Sequence, residues 1–117
     1  MQTMPYIKLT TSTKITPANQ GIMTEKFGKD IEALPGKSER WLMLCFEDNQ
    51  RMALAGDDHD GTAMIEVSVY GKSNRESYDA LTARLSQTVS ETLDLPKSRI
   101  YVKYQECSVW GYNGDNF

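Results

Sequence analysis

Apolar and polar residues first alternate at Tyr6-Ile7-Lys8-Leu9-Thr10, which puts Ile7 and Leu9 on one face of a predicted strand. The period then changes. Ile22, Met23, Phe27, Ile31 and Leu34 recur at helical spacing. Thr16 is placed to cap that helix, and Pro17 takes the first helical position, where its missing N–H costs nothing. Pro35-Gly36 ends it, because proline disfavours helical geometry in the residue before it. Trp41-Leu42-Met43-Leu44-Cys45-Phe46 is apolar at every position, the pattern of a strand covered on both sides.

A polar connection, 47–60, follows, with Met52-Ala53-Leu54-Ala55 as a short extended piece. The plan then repeats. Residues 64–70 alternate, with Ile65, Val67 and Val69 facing one way. Ser73-Asn74-Arg75-Glu76 reads as a capping box. Tyr78, Leu81, Leu85, Val89 and Leu93 form a second helical stripe, Leu95-Pro96 stops it, and residues 100–104 close the pattern as a strand. Pro5 and Trp41 are 36 positions apart, and so are Met64 and Ile100.

Each half is therefore a strand, a long helix and a strand, and sterics make that unit a right-handed crossover between parallel strands. The expected fold is α/β (α+β): duplicated βαβ units forming a four-stranded mixed sheet with both helices on one face. The other face is left open and, with the 41–46 strand apolar on both sides, demands an apolar partner. A homo-oligomer of closed symmetry is the simplest remedy, a dimer or a trimer. Residues 109–112 read as an edge strand that pairs with a neighbour.

The chain of 117 residues suits one domain, 1–117. Its net charge of −3 argues against nucleic acid as a partner. No apolar run approaches the roughly 20 residues that cross a bilayer, and the start lacks a signal-peptide pattern, so neither membrane nor classical export is expected. A cytoplasmic location is expected, with non-classical secretion left open. Cys45 and Cys107 form no CxxC pair and read as free thiols. His59 stands in Gly56-Asp57-Asp58-His59-Asp60-Gly61, a composition that marks a turn more often than a metal site. No metal and no organic cofactor is expected.

At this point a set of short segments resembles a known family. Met4-Pro5-Tyr6-Ile7, Gly36-Lys37, residues 49–54, Val69-Tyr70-Gly71-Lys72, residues 74–78 and residues 95–102 are similar, in order and spacing, to the macrophage migration inhibitory factor group of the tautomerase superfamily. The resemblance runs from Met4 to Phe117. It implies a homotrimer with an active site at each subunit interface, and keto–enol tautomerisation of phenylpyruvate-like or dopachrome-like substrates that carry a carboxylate. An N-terminal proline is the base. A neutral secondary amine at a chain start titrates near neutrality once desolvated, which suits it to moving a proton beside a carbonyl.

Carried over by position, the resemblance makes Pro5 the base and has Lys37 and the Tyr70 backbone N–H bind the carboxylate. Tyr101, from a neighbouring subunit, lines the pocket and donates a hydrogen bond. Lys103 stands where the animal cytokine has asparagine and makes the pocket more cationic, and Trp110 and Tyr112 supply walls. The family's CxxC is replaced by Thr62-Ala63-Met64-Ile65, so no thiol oxidoreductase activity is expected. Hydration or dehalogenation of an unsaturated acid, also known in the superfamily, needs a water-activating site that the sequence does not reveal. Plainer readings stand beside these roles. Pro5 opens a strand where proline is tolerated, Lys37 complements a helix C-terminus, the two tyrosines are ordinary strand formers, and Trp110 packs at a subunit interface.

Met1-Gln2-Thr3 precede Met4, and in the sequence as written the Pro5 nitrogen is an amide, whose lone pair is delocalised and not basic. Two readings follow. In one, the functional chain starts at Met4, the methionine is removed, and the protein is a tautomerase. In the other, the 1–4 extension stays, Pro5 is blocked, and the protein is a non-catalytic binding or signalling trimer of the same fold.

Overall fold

The computed structural model describes residues 4–117, so the Met1–Thr3 part of the extension lies outside the described residues. Strand β1 (Pro5–Thr11) buries every second side chain, with Ile7 and Leu9 sealed from solvent. Helix α1 (Pro17–Asp30) opens as the sequence predicts, with Pro17 in the first turn. The Thr16 hydroxyl accepts the Asn19 backbone N–H at 3.1 Å, satisfying one of the helix's orphan donors. Met23, Phe27, Ile31 and Leu34 are fully buried, but Ile22 is 44% exposed. One residue is about 100° of helical turn, which carries Ile22 off the edge of that stripe.

The helix tightens into a 3-10 turn over Ile31–Ala33, and Leu34 before Pro35 is extended. Residues 34–37 then make a tight turn closed by the Lys37 N–H on the Leu34 carbonyl at 3.1 Å. Gly36 takes φ 78°, where a Cβ is disfavoured. A second 3-10 turn, Glu39–Trp41, follows. Strand β2 is consequently Met43–Glu47 and does not include Trp41. The Trp41 and Leu42 N–H groups are taken by the Ser38 and Glu39 carbonyls, so neither residue is free to join the ladder.

β2 runs parallel to β1. Strand β3 (Ala63–Tyr70) is antiparallel to β1, and strand β4 (Ile100–Cys107) is parallel to β3. The order β2-β1-β3-β4 joins two βαβ units through their first strands, as the duplicated pattern predicts. Helix α2 (Arg75–Leu93) connects β3 to β4. Its cap is Asn74 and not the expected Ser73: Asn74 Oδ1 accepts the Ser77 N–H at 2.8 Å, while the Ser73 N–H goes to Glu106 Oε2 at 3.1 Å. Asparagine caps as well as serine does, and the helix starts one residue later.

Both helices lie on one face. Phe27 of α1 stacks on Phe46 of β2 with ring centroids 6.1 Å apart. The α2 residue Thr82 meets Tyr104 of β4, hydroxyl to hydroxyl, at 2.7 Å. The helices are joined where the Thr88 hydroxyl donates to the Asp30 carboxylate at 2.7 Å, and burial raises the pKa of that carboxyl. Full burial of a side chain such as Phe27 or Leu85 contributes about 1.5–3 kcal/mol.

The open face is more polar than the sequence suggests. Leu44 and Phe46 pair with the inward residues Ile7 and Leu9, so of its apolar run β2 offers only Met43 and Cys45 to the far side. Around them lie the cross-strand ion pairs Lys8–Glu47, at 3.4 Å, and Lys103–Glu66, also at 3.4 Å. Alternation at the sheet edge, invisible in a run that is apolar throughout, explains the difference.

In the 47–60 connection the expected extended piece is a tight turn, in which Leu54 and Asp57 exchange two backbone hydrogen bonds of 3.0 Å. Ala55 takes φ 53° and Gly56 φ 77°. The Asp57 carboxylate accepts the His59 N–H at 2.8 Å, so the acidic cluster shapes a turn. Arg99 fastens this loop by donating to the Gly61 carbonyl at 2.9 Å and the Thr62 hydroxyl at 2.6 Å. At the C-terminus, strands β5 (Gly111–Tyr112) and β6 (Asp115–Asn116) form a hairpin within the chain. Its turn is Asn113-Gly114, both with positive φ, the pair favoured by a two-residue hairpin loop. Among the described residues no helix is long and apolar enough to cross a membrane.

Candidate active site

Pro5 stands at the head of β1 opposite Val69 and is buried. A proline is tolerated there because a first strand position needs no ladder donor. The ladder nevertheless runs one residue further back: the Tyr70 N–H donates to the Met4 carbonyl at 3.1 Å. Gly71, with φ 85°, donates to the Cys107 carbonyl at 2.9 Å and turns the chain away. The ends of β1, β3 and β4 thus converge on Pro5, Tyr70 and Cys107.

The C-terminal hairpin folds over this corner. The Phe117 N–H donates to the Trp110 carbonyl at 2.9 Å, and the Phe117 ring lies 5.6 Å from that of Tyr70. Tyr112 meets Trp41 edge to face at 5.3 Å. The Arg40 guanidinium lies over the same Trp41 ring, 5.2 Å from its centroid. Together these groups enclose a cleft of about 760 Å³ whose lining includes Pro5, Met4, Arg40, Trp41, Trp110 and Tyr112. A smaller cleft of about 390 Å³, lined by Tyr70, Lys72 and Glu106 among others, adjoins it at Cys107.

Of the residues singled out from the sequence, the structure brings Pro5, Trp110 and Tyr112 into one cleft and Tyr70 into its neighbour. Lys37 is 6% exposed, and burial pulls its pKa below the usual lysine value. It lines neither cleft. Lys103 is engaged with Glu66 at 3.4 Å. Tyr101, which is 58% exposed, pairs with Met64 at the opposite end of β3 from Val69. Those ends are separated by roughly 17 Å of strand. Within one chain Tyr101 therefore stands far from Pro5.

Glu106, in the smaller cleft, is not free to act as a base. Its Oε2 accepts both the Tyr78 hydroxyl, at 2.7 Å, and the Ser73 N–H, at 3.1 Å. These bonds, the Tyr78 one foremost, hold its pKa down. Tyr78 is pushed up to about 12, by burial first and then by the Glu106 carboxylate. Sequence reasoning missed Arg40 and Trp41 as site residues, whereas Tyr112, expected as a wall beside Trp110, does line the cleft. The adjacent Arg40-Trp41 pair just after Gly36-Lys37 was the available signal for these two, as was Asn113-Gly114 for the hairpin that brings in Tyr112.

Comparison with known proteins bears on what such a corner is. The family model for macrophage migration inhibitory factor matches residues 4–117. The chain belongs to the macrophage migration inhibitory factor family. No curated protein sequence matches it significantly. Among solved structures it is similar to Leishmania major MIF2, at 24% identity and a TM-score of 0.91 over 97% of each chain. It is also similar to the Toxoplasma gondii macrophage migration inhibitory factor, at 24% identity and a TM-score of 0.86, covering 96% of this chain and 99% of that one. A fused 4-OT described as a symmetric trimer matches at 16% identity and a TM-score of 0.77, over 87% of this chain and 85% of that one. These likenesses show the tautomerase-like fold, and in this family's frame Pro5 occupies the head of the first strand.

Proposed function

We propose that the protein is a keto–enol tautomerase for phenylpyruvate-like or dopachrome-like substrates, with Pro5 as base in the form whose N-terminus is Pro5. The observation that carries this reading is the burial of Pro5 in a cleft walled by Trp41, Trp110 and Tyr112. Desolvation there favours the neutral amine, and the flat walls suit an aromatic substrate. The Pro5 nitrogen takes a proton from the carbon next to the substrate carbonyl, electrons shift to oxygen as the enolate forms, and the proton is returned to that oxygen. The reverse sequence converts enol to keto.

In this reading Lys37 and the Tyr70 N–H hold the carboxylate. A lysine that is buried and has no carboxylate partner among the described residues gains most from an arriving anion. Tyr101 and Lys103 serve a neighbouring subunit's pocket, since Tyr101 lies far from Pro5 in its own chain. That placement, with the trimer described for the fused 4-OT, supports a homotrimer here. Sedimentation that gives a monomer at micromolar concentration would remove this part.

A second reading is favoured by one contact. With Met4 in place the Pro5 nitrogen is an amide and the Tyr70 N–H is already taken by the Met4 carbonyl, 3.1 Å away. A chain that retains Met4 is then a binding protein of the same fold. The deciding experiment is a phenylpyruvate tautomerase assay on the chain as written and on a form beginning at Pro5. Activity in the Pro5 form alone supports the enzyme, and silence in both leaves the binding protein.

A further inference from the structure

Arg40 lines the Pro5 cleft, yet among the described residues no carboxylate pairs with it. Its position is set by other means. The guanidinium lies 5.2 Å from the centroid of the Trp41 ring, and Trp41 is in turn braced by the edge of Tyr112, 5.3 Å away and at 84°. Tyr112 belongs to a hairpin that the Phe117–Trp110 backbone bond closes at 2.9 Å. A cation held over a ring spends no N–H on a carboxylate, and a guanidinium fork left unpaired in this way can grip a carboxylate by two parallel bonds. Because Arg40 is already held against the indole, less side-chain freedom is lost when an anion binds.

We propose that Arg40 is an anion-recognition residue of the Pro5 cleft, selecting small carboxylates with a flat apolar body. The inference deepens the tautomerase reading by naming how its cleft chooses substrates, and it rests on that reading for the consequence but not for the binding itself. Arg40 stands in the cleft with Met4 in place. The full chain, whose base is blocked, therefore still discriminates by charge. The carboxylate sits on the guanidinium edge, and the apolar body lies between Trp41, Trp110 and Tyr112.

Trp41 and Trp110 both line the cleft, so ligand binding is read from tryptophan fluorescence. The full chain is titrated with 3-phenylpropionate and with its neutral amide, 3-phenylpropanamide, neither of which can turn over. The expected result is tighter binding of the carboxylate. Arg40→Met should weaken that ligand by about tenfold or more and leave the amide unchanged. Arg40→Lys, which keeps the charge without the fork, should fall between. An unchanged carboxylate affinity in Arg40→Met overturns the proposal. So does an equal loss for both ligands, which would mean that Arg40 only props up Trp41, and so does a wild-type chain that binds neither. A silent tautomerase assay beside intact charge-selective binding would remove the enzyme and keep the recognition site.

Discussion

The backbone N–H of Tyr70 donates to the carbonyl oxygen of Met4 at 3.1 Å, which ties the residue before Pro5 into the sheet. One peptide bond therefore governs two groups of the candidate site. Cleavage between Met4 and Pro5 converts an amide nitrogen into an amine, and it also frees the Tyr70 N–H from the Met4 carbonyl. Neither change alone would complete the site described under the tautomerase reading.

Phenylpyruvate tautomerase activity is accordingly expected to differ by at least about a hundredfold between the Pro5-terminal form and a form retaining Met4, the contribution typical of a positioned base. Steady-state rates on both, with intact masses verified, measure it. Equal rates would show that Pro5 is not the base.

Lys37 is destabilised as a cation by its burial, so its folded pKa lies below that of the unfolded chain. The unfolded state then binds more protons at a pH between those two values, and stability rises with pH across that window. Below the folded pKa the penalty is fully present. Lys37→Met is expected to raise the urea midpoint at pH 7 and to flatten the alkaline rise, while weakening the binding of a carboxylate substrate. A variant less stable than wild type at pH 7 would contradict this account.

Tyr78 carries the opposite sign. Its folded pKa is near 12, above the ordinary 10, so the folded chain keeps a proton that the unfolded one gives up. Stability should fall as pH rises from about 10 toward 12. Tyr78→Phe should lose that fall, and the Glu106 carboxyl should titrate higher once its leading hydrogen bond is gone. Carboxyl resonances followed by NMR through an acid titration read the second effect.

The caps give a cleaner contrast. Asn74→Ala should cost about 1 kcal/mol, while Ser73→Ala should cost much less, because the Asn74 side chain and not that of Ser73 accepts the Ser77 N–H. Denaturant unfolding of the two single variants decides it, and the reverse ranking would restore the capping box.

Ala55 holds φ 53° inside the Leu54–Asp57 turn, a left-handed position where a Cβ is unfavourable. Ala55→Gly is expected to stabilise by up to about 1 kcal/mol, the relief of strain exceeding the added freedom of the unfolded chain. A drop in melting temperature would show that the turn is not strained at that residue.

Periodicity alone specified the two βαβ units, both helix stripes apart from Ile22, the Thr16–Pro17 start and the inward faces of β1 and β3. These are local properties, written in the spacing of apolar residues and in the chemistry of a cap, and they survive without knowledge of what packs where. The 41–46 run was harder to divide. A stretch apolar at every position carries no alternation, so the turn that removes Trp41 from the strand and delivers it to the cleft left no mark in the pattern.

The tertiary structure decided what meets Pro5. Trp41 precedes β2, Trp110 and Tyr112 lie more than a hundred positions from the head of β1, and Arg40 reads in sequence as one more exposed cation. The folding back of the Asn113-Gly114 hairpin brings Tyr112 against Trp41, and the same indole lies under the Arg40 guanidinium in the lining of the cleft. The Met4–Tyr70 contact has the same origin. It joins residues 66 positions apart and depends on the register of two antiparallel strands, a long-range pairing set by which faces of β1 and β3 are buried together and not by any residue near either end.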